Sequence, residues 1–254
     1  MSLVVAVKDK DRVVLGSDKQ ASTSFNKEHS ATKIWEVVDL PGAIMGSVGS
    51  MRASQIIQYS RIINLNDLFD KGGISTGYII NSLVPAIVAQ LQAAGMPLTA
   101  SEDKDMPCAM IPNVFIFAFE DKAWMIWNDL SVSEIDEYLV IGSGSEVATG
   151  VLFATKEKNP FERIITCIDA ASETTLFVDD GVDLLATKYK PKDRQQIAKA
   201  LGIKLVTETV DNGVEHVEAN KKETLASKTP AKKAEKKPKA KTKTEVKKKS
   251  KEKK

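Results

Sequence analysis

The feature that most constrains this chain is the order in which its hydrophobic period changes. Short apolar runs of β-branched residues come first, at 2–8 and 12–18, joined by the turn Asp9-Lys10-Asp11. Val4, Val5, Val7, Val13, Val14 and Leu15 are the residue types that buried strands use. Residues 33–39 and 43–48 read as two more strands, parted by Pro41-Gly42. The period then turns helical. Residues 50–63 have Met51, Ile56, Ile57, Ile62 and Ile63 as their apolar set, and residues 75–94 form a second helix capped by Ser75 or Thr76 and ended by Gly95-Met96-Pro97. Pro85 predicts a kink or break in that second helix. Strands return at 114–119, 122–127 and 138–141, helices at 146–156 and 160–173, and a closing strand at 182–187. Strands, two helices, strands, two helices and a strand argue for sheets stacked between helical layers, an α+β fold.

The rest of the chain is read as connections. Residues 19–32 are polar and predict a loop or a twisted edge hairpin, and 99–111 a loop. Beyond Pro191, a short helix at 193–201 precedes a hairpin of 203–210 with 214–217 around Asp211-Asn212-Gly213. Residues 219–254 are low-complexity Lys, Ala, Thr, Glu and Pro, which cannot bury enough apolar surface to fold alone. The expected organisation is a domain at 1–190, an extension at 191–218 and a disordered Lys-rich tail at 219–254.

Charge has the same division. From Lys221 to Lys254 there are sixteen Lys and four Glu, a net of +12, so the first 220 residues carry −10 against a whole-chain charge of +2. Three readings of the tail stand: a solubilising extension, non-specific contact with nucleic acid through its phosphates, and docking onto an acidic partner. Without aromatics or Arg in the tail, sequence-specific readout is not expected. Two cysteines, Cys108 and Cys167, give neither a disulfide framework nor metal spacing, which fits a reducing cytoplasm. No basic-then-apolar leader opens the chain, and no apolar run approaches the roughly 18–20 residues that span a bilayer, so no membrane association is expected.

Chemistry starts with Ser2. Removal of Met1 would give Ser2 both a hydroxyl and a free α-amine. An α-amine with an ordinary pKa of about 7.7–8.0 suits a general base near neutral pH, so one residue supplies nucleophile and base. On its own, Met-Ser is a common chain start. The succession of motifs after it gives it weight: Ser2-Leu3-Val4-Val5-Ala6-Val7, then Val13-Val14-Leu15-Gly16-Ser17-Asp18-Lys19-Gln20-Ala21, Thr32-Lys33-Ile34, Gly46-Ser47-Val48-Gly49 and Val140-Ile141-Gly142-Ser143-Gly144. In this order over residues 2–188, the segments resemble the β-type subunits of the proteasome and the bacterial two-component proteasome peptidase.

The resemblance implies the four-layer α/β/β/α sandwich of N-terminal-nucleophile (Ntn) hydrolases and a cytoplasmic peptidase without cofactor or metal. It also implies polypeptide substrates, a homo-oligomeric ring and a partner ATP-dependent unfoldase. Carried over residue by residue, Ser2 looks like the nucleophile, Lys33 like the cation beside it, and Asp18 like the carboxylate that fixes Lys33. Gly46 looks like the oxyanion-hole donor. Ser143, Asp169 and Ser172 look like the network around the α-amine. Ala21, Ala31, Trp35, Ile44, Val48 and Arg52 would line the first specificity pocket.

Each assignment has a plainer rival. Lys33 could be a solvated lysine, Asp18 a turn residue, Gly46 a strand-end glycine and Trp35 core. Asp169 and Ser172 could be helix-surface polar residues. Ser143 could belong to a phosphate loop, but Gly142-Ser143-Gly144-Ser145-Glu146-Val147 lacks the glycine and lysine such loops need. Three departures from the family pattern matter. Serine replaces threonine, and losing the γ-methyl leaves the hydroxyl less preorganised, so a slower enzyme is expected. Leu3 stands where a small polar residue often succeeds the nucleophile. Gln20 stands in place of a frequent Arg. No propeptide precedes Ser2, as in relatives unmasked by Met removal alone. Two other readings remain open: a non-catalytic ring subunit whose tail binds nucleic acid, and an Ntn amidase acting on small molecules.

Overall fold

A computed structural model describes residues 2–22, 27–29, 31–70, 73–101, 108–188, 190, 193–200 and 202. The expected hairpin at 203–217 and the Lys-rich tail lie outside the described residues. Contacts within the chain divide it into Met1–Val210 and Asp211–Lys254, and the described residues all belong to the first unit.

The strands β1 (Leu3–Asp9) and β2 (Arg12–Asp18) form the expected hairpin. A short pair, β3 (Ala21–Ser22) and β4 (Lys27–Glu28), comes next, then β5 (Ile34–Glu36) and β6 (Ala43–Gly49). The expected strand at 33–39 is thus only three residues long. Helix α1 (Met51–Gln58) is capped by Ser50, whose side chain accepts from the Ala53 amide. It stops five residues short of the expected end. Ile62 is buried and Ile63 packs beside it outside the helix. An unforeseen α2 (Leu65–Asp70) comes after it.

The next helical stretch starts as α3 (Thr76–Tyr78), widens into a π-helical turn at Ile79–Leu83 and continues as α4 (Val84–Ala93). Pro85 has no N–H for the Asn81 carbonyl, and its ring crowds that carbonyl. The expected kink is resolved as a π turn, with the Val84 amide reaching the Ile79 carbonyl.

The short strands β7 (Thr99–Ala100) and β8 (Ala109–Met110) pair within the expected loop. Then come β9 (Asn113–Phe119), β10 (Lys122–Ile126), β11 (Val132–Glu134), β12 (Tyr138–Gly142), α5 (Ser145–Ala154), α6 (Pro160–Thr174), β13 (Val182–Ala186) and α7 (Asp193–Ala200).

One antiparallel sheet has the order β12-β1-β2-β13, and the other β11-β10-β9-β6-β5. The side-chain period of two explains the unbroken apolar runs of β1 and β2, because both faces are buried. Leu3, Val5, Val7 and Val14 pack with Ala148 and Leu152 of α5 and with Phe161, Ile164 and Ile168 of α6. Val4, Ala6, Val13 and Leu15 pack with Ile34, Ile44, Ile116, Ala118 and Met125 of the other sheet. The opposite face of that second sheet, with Trp35, Met45, Phe117 and Trp124, packs with Ile57 of α1 and with Ile87 and Leu91 of α4. Each Val, Leu, Ile, Phe or Met side chain among them, when fully buried, contributes about 1.5–3 kcal/mol relative to exposure.

Helix α7 is fastened to β2 by a buried ion pair between Arg12 and Asp193, with the Arg12 guanidinium 5.3 Å from the Phe161 ring centroid. Among the described residues, no helix is long and apolar enough to cross a membrane.

Candidate active site

The register of the first hairpin builds the site. Val4 pairs with Ser17, so Asp18, the last residue of β2, comes opposite Leu3. Its Oδ1 accepts from the Leu3 amide at 2.8 Å and from the Lys33 ammonium at 2.5 Å, while its Oδ2 accepts from the Gln20 amide at 3.1 Å. Lys33 lies just ahead of β5, held by its carbonyl, which accepts from the Ser47 amide at 2.9 Å. Both side chains are buried, 5% exposed for Lys33 and 0% for Asp18. Burial pushes the Lys33 ammonium below the ordinary lysine pKa, with Asp18 opposing. Burial likewise pushes the Asp18 carboxyl above the usual carboxylate range, against the pull of Lys33 and the two amides. Lys33 is therefore neither in bulk water nor paired at random: it meets the peptide unit that joins Ser2 to β1 through one carboxylate oxygen.

Ser2 is half-buried. Its carbonyl accepts from the Ser143 amide at 2.8 Å, so Ser143 lies beside Ser2. Gly142, φ +100°, pairs with Leu3, and a Cβ there would stand 1.9 Å from the Ser2 carbonyl oxygen. Only glycine allows this wrap.

The expectation for Gly46 is corrected. Gly46 lies inside β6, flanked by β5 and β9, paired with Ile34 and Ile116. The Ser47 amide points to Lys33 across β5, so the alternation of an antiparallel ladder turns the Gly46 N–H into β9. Its missing side chain makes room for Val4, whose Cγ1 would be 2.8 Å from a Cβ. Gly46 is a sheet-packing glycine.

Gly49 ends the same strand, paired with Asn113. Its amide has the parity of Ser47 and turns toward the side where β5 has already ended. The preceding Val48 reaches the Gly142 turn, 3.1 Å from the position of a Gly142 Cβ. Gly49 has φ +124°, and a Cβ there would lie 2.3 Å from the Pro112 carbonyl oxygen. Buried Asn113 locks the adjoining turn. Its Oδ1 accepts from the Ser50 amide at 3.0 Å, and its Nδ2 donates to the Ser50 carbonyl at 3.2 Å and to Ser54 Oγ at 3.0 Å.

Asp169 and Ser172 are also corrected. Asp169 is exposed on α6 and lines a cavity of about 410 Å³ together with Gln196 and Lys199 of α7. The Ser172 hydroxyl donates to the Asp169 carbonyl of its own helix at 2.8 Å. The side chain that reaches the Asp18 end of β2 from this region is instead Asp179, in the loop between α6 and β13. Its Oδ1 accepts from the Lys19 amide at 2.9 Å, and its Oδ2 lies 2.9 Å from His29 Nδ1. The only sequence signal for it is a two-Asp turn before Gly181 and the closing strand.

The six pocket residues divide. Half-buried Ala21 in β3 and Ala31, whose amide donates to the Lys19 carbonyl at 3.0 Å, stay with the Asp18 end of the site, as does Val48 with the Ser2 turn. Trp35 is buried in the core between the second sheet and its helices, and Ile44 in the core between the two sheets, so neither lines an open pocket. Arg52 is exposed on α1 and donates to the Ala94 carbonyl at 3.1 Å. Gln20 is buried, its Nε2 donating to Ser22 Oγ at 2.7 Å and to the Leu176 carbonyl at 3.0 Å.

No protein-family model matches the sequence, and no curated protein matches it. Solved structures do match. BPH of Thiobacillus denitrificans superposes with a TM-score of 0.56 at 16% identity, covering 74% of this chain and 99% of that one. The same protein in complex with epoxomicin gives 0.54 at 16% identity, covering 74% and 100%. The chain has the proteasome β-like Ntn-hydrolase fold. In that fold the described site lies where β1 begins, with Ser2 at its head.

Proposed function

We propose that the chain is a proteasome-type peptidase whose nucleophile is Ser2, exposed by removal of Met1. The observation that carries this reading is the buried Asp18 oxygen shared by the Lys33 ammonium and the Leu3 amide. An ion pair so costly to bury, one peptide bond from a serine at the chain start, has an evident use in activating that serine.

In this reading the Ser2 Oγ adds to a peptide carbonyl carbon while the Ser2 α-amine takes the hydroxyl proton. The Gly49 amide holds the developing oxyanion. The protonated α-amine then gives its proton to the leaving amine as the C–N bond breaks, leaving an ester on Ser2. Water, deprotonated by the same α-amine, adds to the ester, the acid leaves and Ser2 is restored. Lys33 keeps the α-amine neutral by like-charge repulsion and stabilises negative charge on Oγ. Asp18 holds Lys33 in place.

The three core clusters support a stacking order of helices, sheet, sheet, helices. A homo-oligomeric ring, a partner unfoldase, a cytoplasmic location and a polyanion contact by the Lys-rich tail belong to the same reading.

The test is intact mass and then a fluorogenic peptide panel. The expected result is loss of one methionine, peptide hydrolysis, and loss of hydrolysis in Ser2→Ala and Lys33→Ala. Epoxomicin, present in the solved complex of the Thiobacillus denitrificans protein, is expected to inhibit that hydrolysis. Retained Met1 with no hydrolysis would overturn the reading.

A further inference from the structure

Half-buried Asp179 joins three pieces of chain that are distant in sequence. Its Oδ1 takes the Lys19 amide, immediately after Asp18, and its Oδ2 takes His29, immediately after β4. Three residues earlier in the same loop, the Leu176 carbonyl takes the Gln20 side chain. The residues between Asp18 and β3 are thus clasped from the α6–β13 loop. The β3–β4 pair, which carries Ala21, is held from both ends by the same carboxylate.

The other charges around Lys33 make Asp179 stand out. Burial dominates in lowering the Lys33 pKa, and Asp18, then Asp179, then Asp183 raise it. Asp18 touches Lys33 directly. Asp183 of β13 is paired with Lys19 Nζ at 2.9 Å. Asp179 faces the His29 imidazole and the Lys19 amide.

We infer that Asp179 is a positioning residue of this site: it sets the β3–β4 pair at the Asp18 end of β2 and supplies Lys33 with negative charge from outside the Asp18 contact. The inference rests on the reading of Ser2 as nucleophile for its catalytic meaning, but its geometry and its charge can be measured without catalysis. Asp179→Asn keeps an acceptor for the Lys19 amide and removes the charge. Asp179→Ala removes both.

Two measurements on the full chain test this. The first is hydrogen exchange of the amides of residues 19–22 and 27–29. It is expected to be faster in Asp179→Ala than in wild type or Asp179→Asn, and faster at 27–29 alone in His29→Ala. The second is NMR titration of the Lys33 side chain, identified by the resonance lost in Lys33→Met. Its midpoint is expected to fall in Asp179→Asn and to stay put in His29→Ala. In peptide hydrolysis, Asp179→Asn should move the alkaline limb of the pH profile down with KM nearly unchanged, while Asp179→Ala also raises KM several-fold.

Exchange that does not change in Asp179→Ala would overturn the strut, and a Lys33 midpoint that does not move in Asp179→Asn would overturn the charge role. Wild-type protein that hydrolyses no peptide while both measurements behave as expected would overturn the Ser2 reading alone.

Discussion

Lys33 Nζ lies 2.5 Å from Asp18 Oδ1, and the pair is sealed from solvent between the two sheets and the β2 exit. A solvated pair of this kind contributes about 0–1 kcal/mol. Burial changes the balance, because desolvating both ions can exceed their attraction. The directions of both pKa shifts agree with this: burial works to neutralise each partner.

The signs of those shifts set how stability should depend on pH. A lysine whose folded pKa is depressed binds its proton less readily in the folded than in the unfolded chain, so its charged form costs stability below that pKa. A carboxyl whose folded pKa is raised costs stability above that pKa. Near neutral pH both costs are present. Replacing the pair together, as Asp18→Asn with Lys33→Met, is expected to leave stability unchanged or to raise it by up to about 1–4 kcal/mol. Lys33→Met alone strands a buried carboxylate and is expected to cost about 3–5 kcal/mol. That loss should shrink as pH falls through the raised Asp18 pKa. Thermal melts of wild type and the two variants against pH decide it. A double variant much less stable than wild type would mean that the pair is structural.

Under the proposed Ser2 mechanism, activity should show two limbs. The Ser2 α-amine must be neutral to act as base, so kcat/KM is expected to rise as pH passes its pKa, ordinarily about 7.7–8.0. Lys33 must be charged, and its depressed pKa places the descending limb below the ordinary lysine value of 10.5. Lys33→Arg stays ionised to about pH 12 and beyond. It should lose rate through its altered geometry and also lose the alkaline limb. A pH–rate profile of both proteins reads this. An alkaline limb unchanged in Lys33→Arg would assign it to another group.

Much of this arrangement was legible in the sequence, and the failures have physical reasons. Strands β1 and β2 and the Pro85 irregularity were readable because each rests on local pattern, whereas Ser2, Asp18 and Lys33 were brought together only by the family resemblance, and the contact the structure adds is that of Asp18 with Lys33 and the Leu3 amide. Helix α2 and the early end of α1 were not, since the apolar spacing of Ile62 and Ile63 serves a buried non-helical segment as well as a helix. Gly46 and Gly49 sit in one short motif, and which amide faces the site depends on the ladder parity with β5 and β9, which no local pattern encodes. Asp169 and Ser172 share spacing with a family pair. Only packing against α7 shows which way that part of α6 faces. Asp179 reaches Lys19 from the far end of the domain, through an unremarkable turn.

The tail invites a separate measurement. Sixteen lysines and four glutamates at 221–254 form a polycation with no base-stacking side chains. If it contacts nucleic acid, binding should be independent of sequence, and log K should fall linearly with log salt, with a slope of about −0.9 per phosphate contact on duplex DNA. Removal of residues 219–254 should abolish that binding while leaving peptide hydrolysis intact. Fluorescence anisotropy with two unrelated duplexes across a salt series reads both. Binding that persists after truncation would place the contact on the acidic body and exclude the tail.

The two glycines of β6 allow the site geometry to be tested by paired substitution. A Cβ at Gly46 would meet Val4 Cγ1 at 2.8 Å between the sheets, so Gly46→Ala is overpacking of a tight core. It is expected to cost about 1–3 kcal/mol, with kcat nearly unchanged in the protein that remains folded. A Cβ at Gly49 would meet the Pro112 carbonyl at 2.3 Å with φ at +124°, so Gly49→Ala must shift this backbone, and under the proposed mechanism it displaces the oxyanion donor. Loss of one such donor costs about 10²–10³ in kcat, while KM should change little. Asn113→Ala should fall between the two, since it frees the Ser50 backbone groups that anchor the turn and leaves Gly49 in place. Thermal melts and steady-state kinetics on the three variants separate packing from chemistry. A Gly46→Ala protein that melts normally but has lost kcat would return the oxyanion role to Gly46.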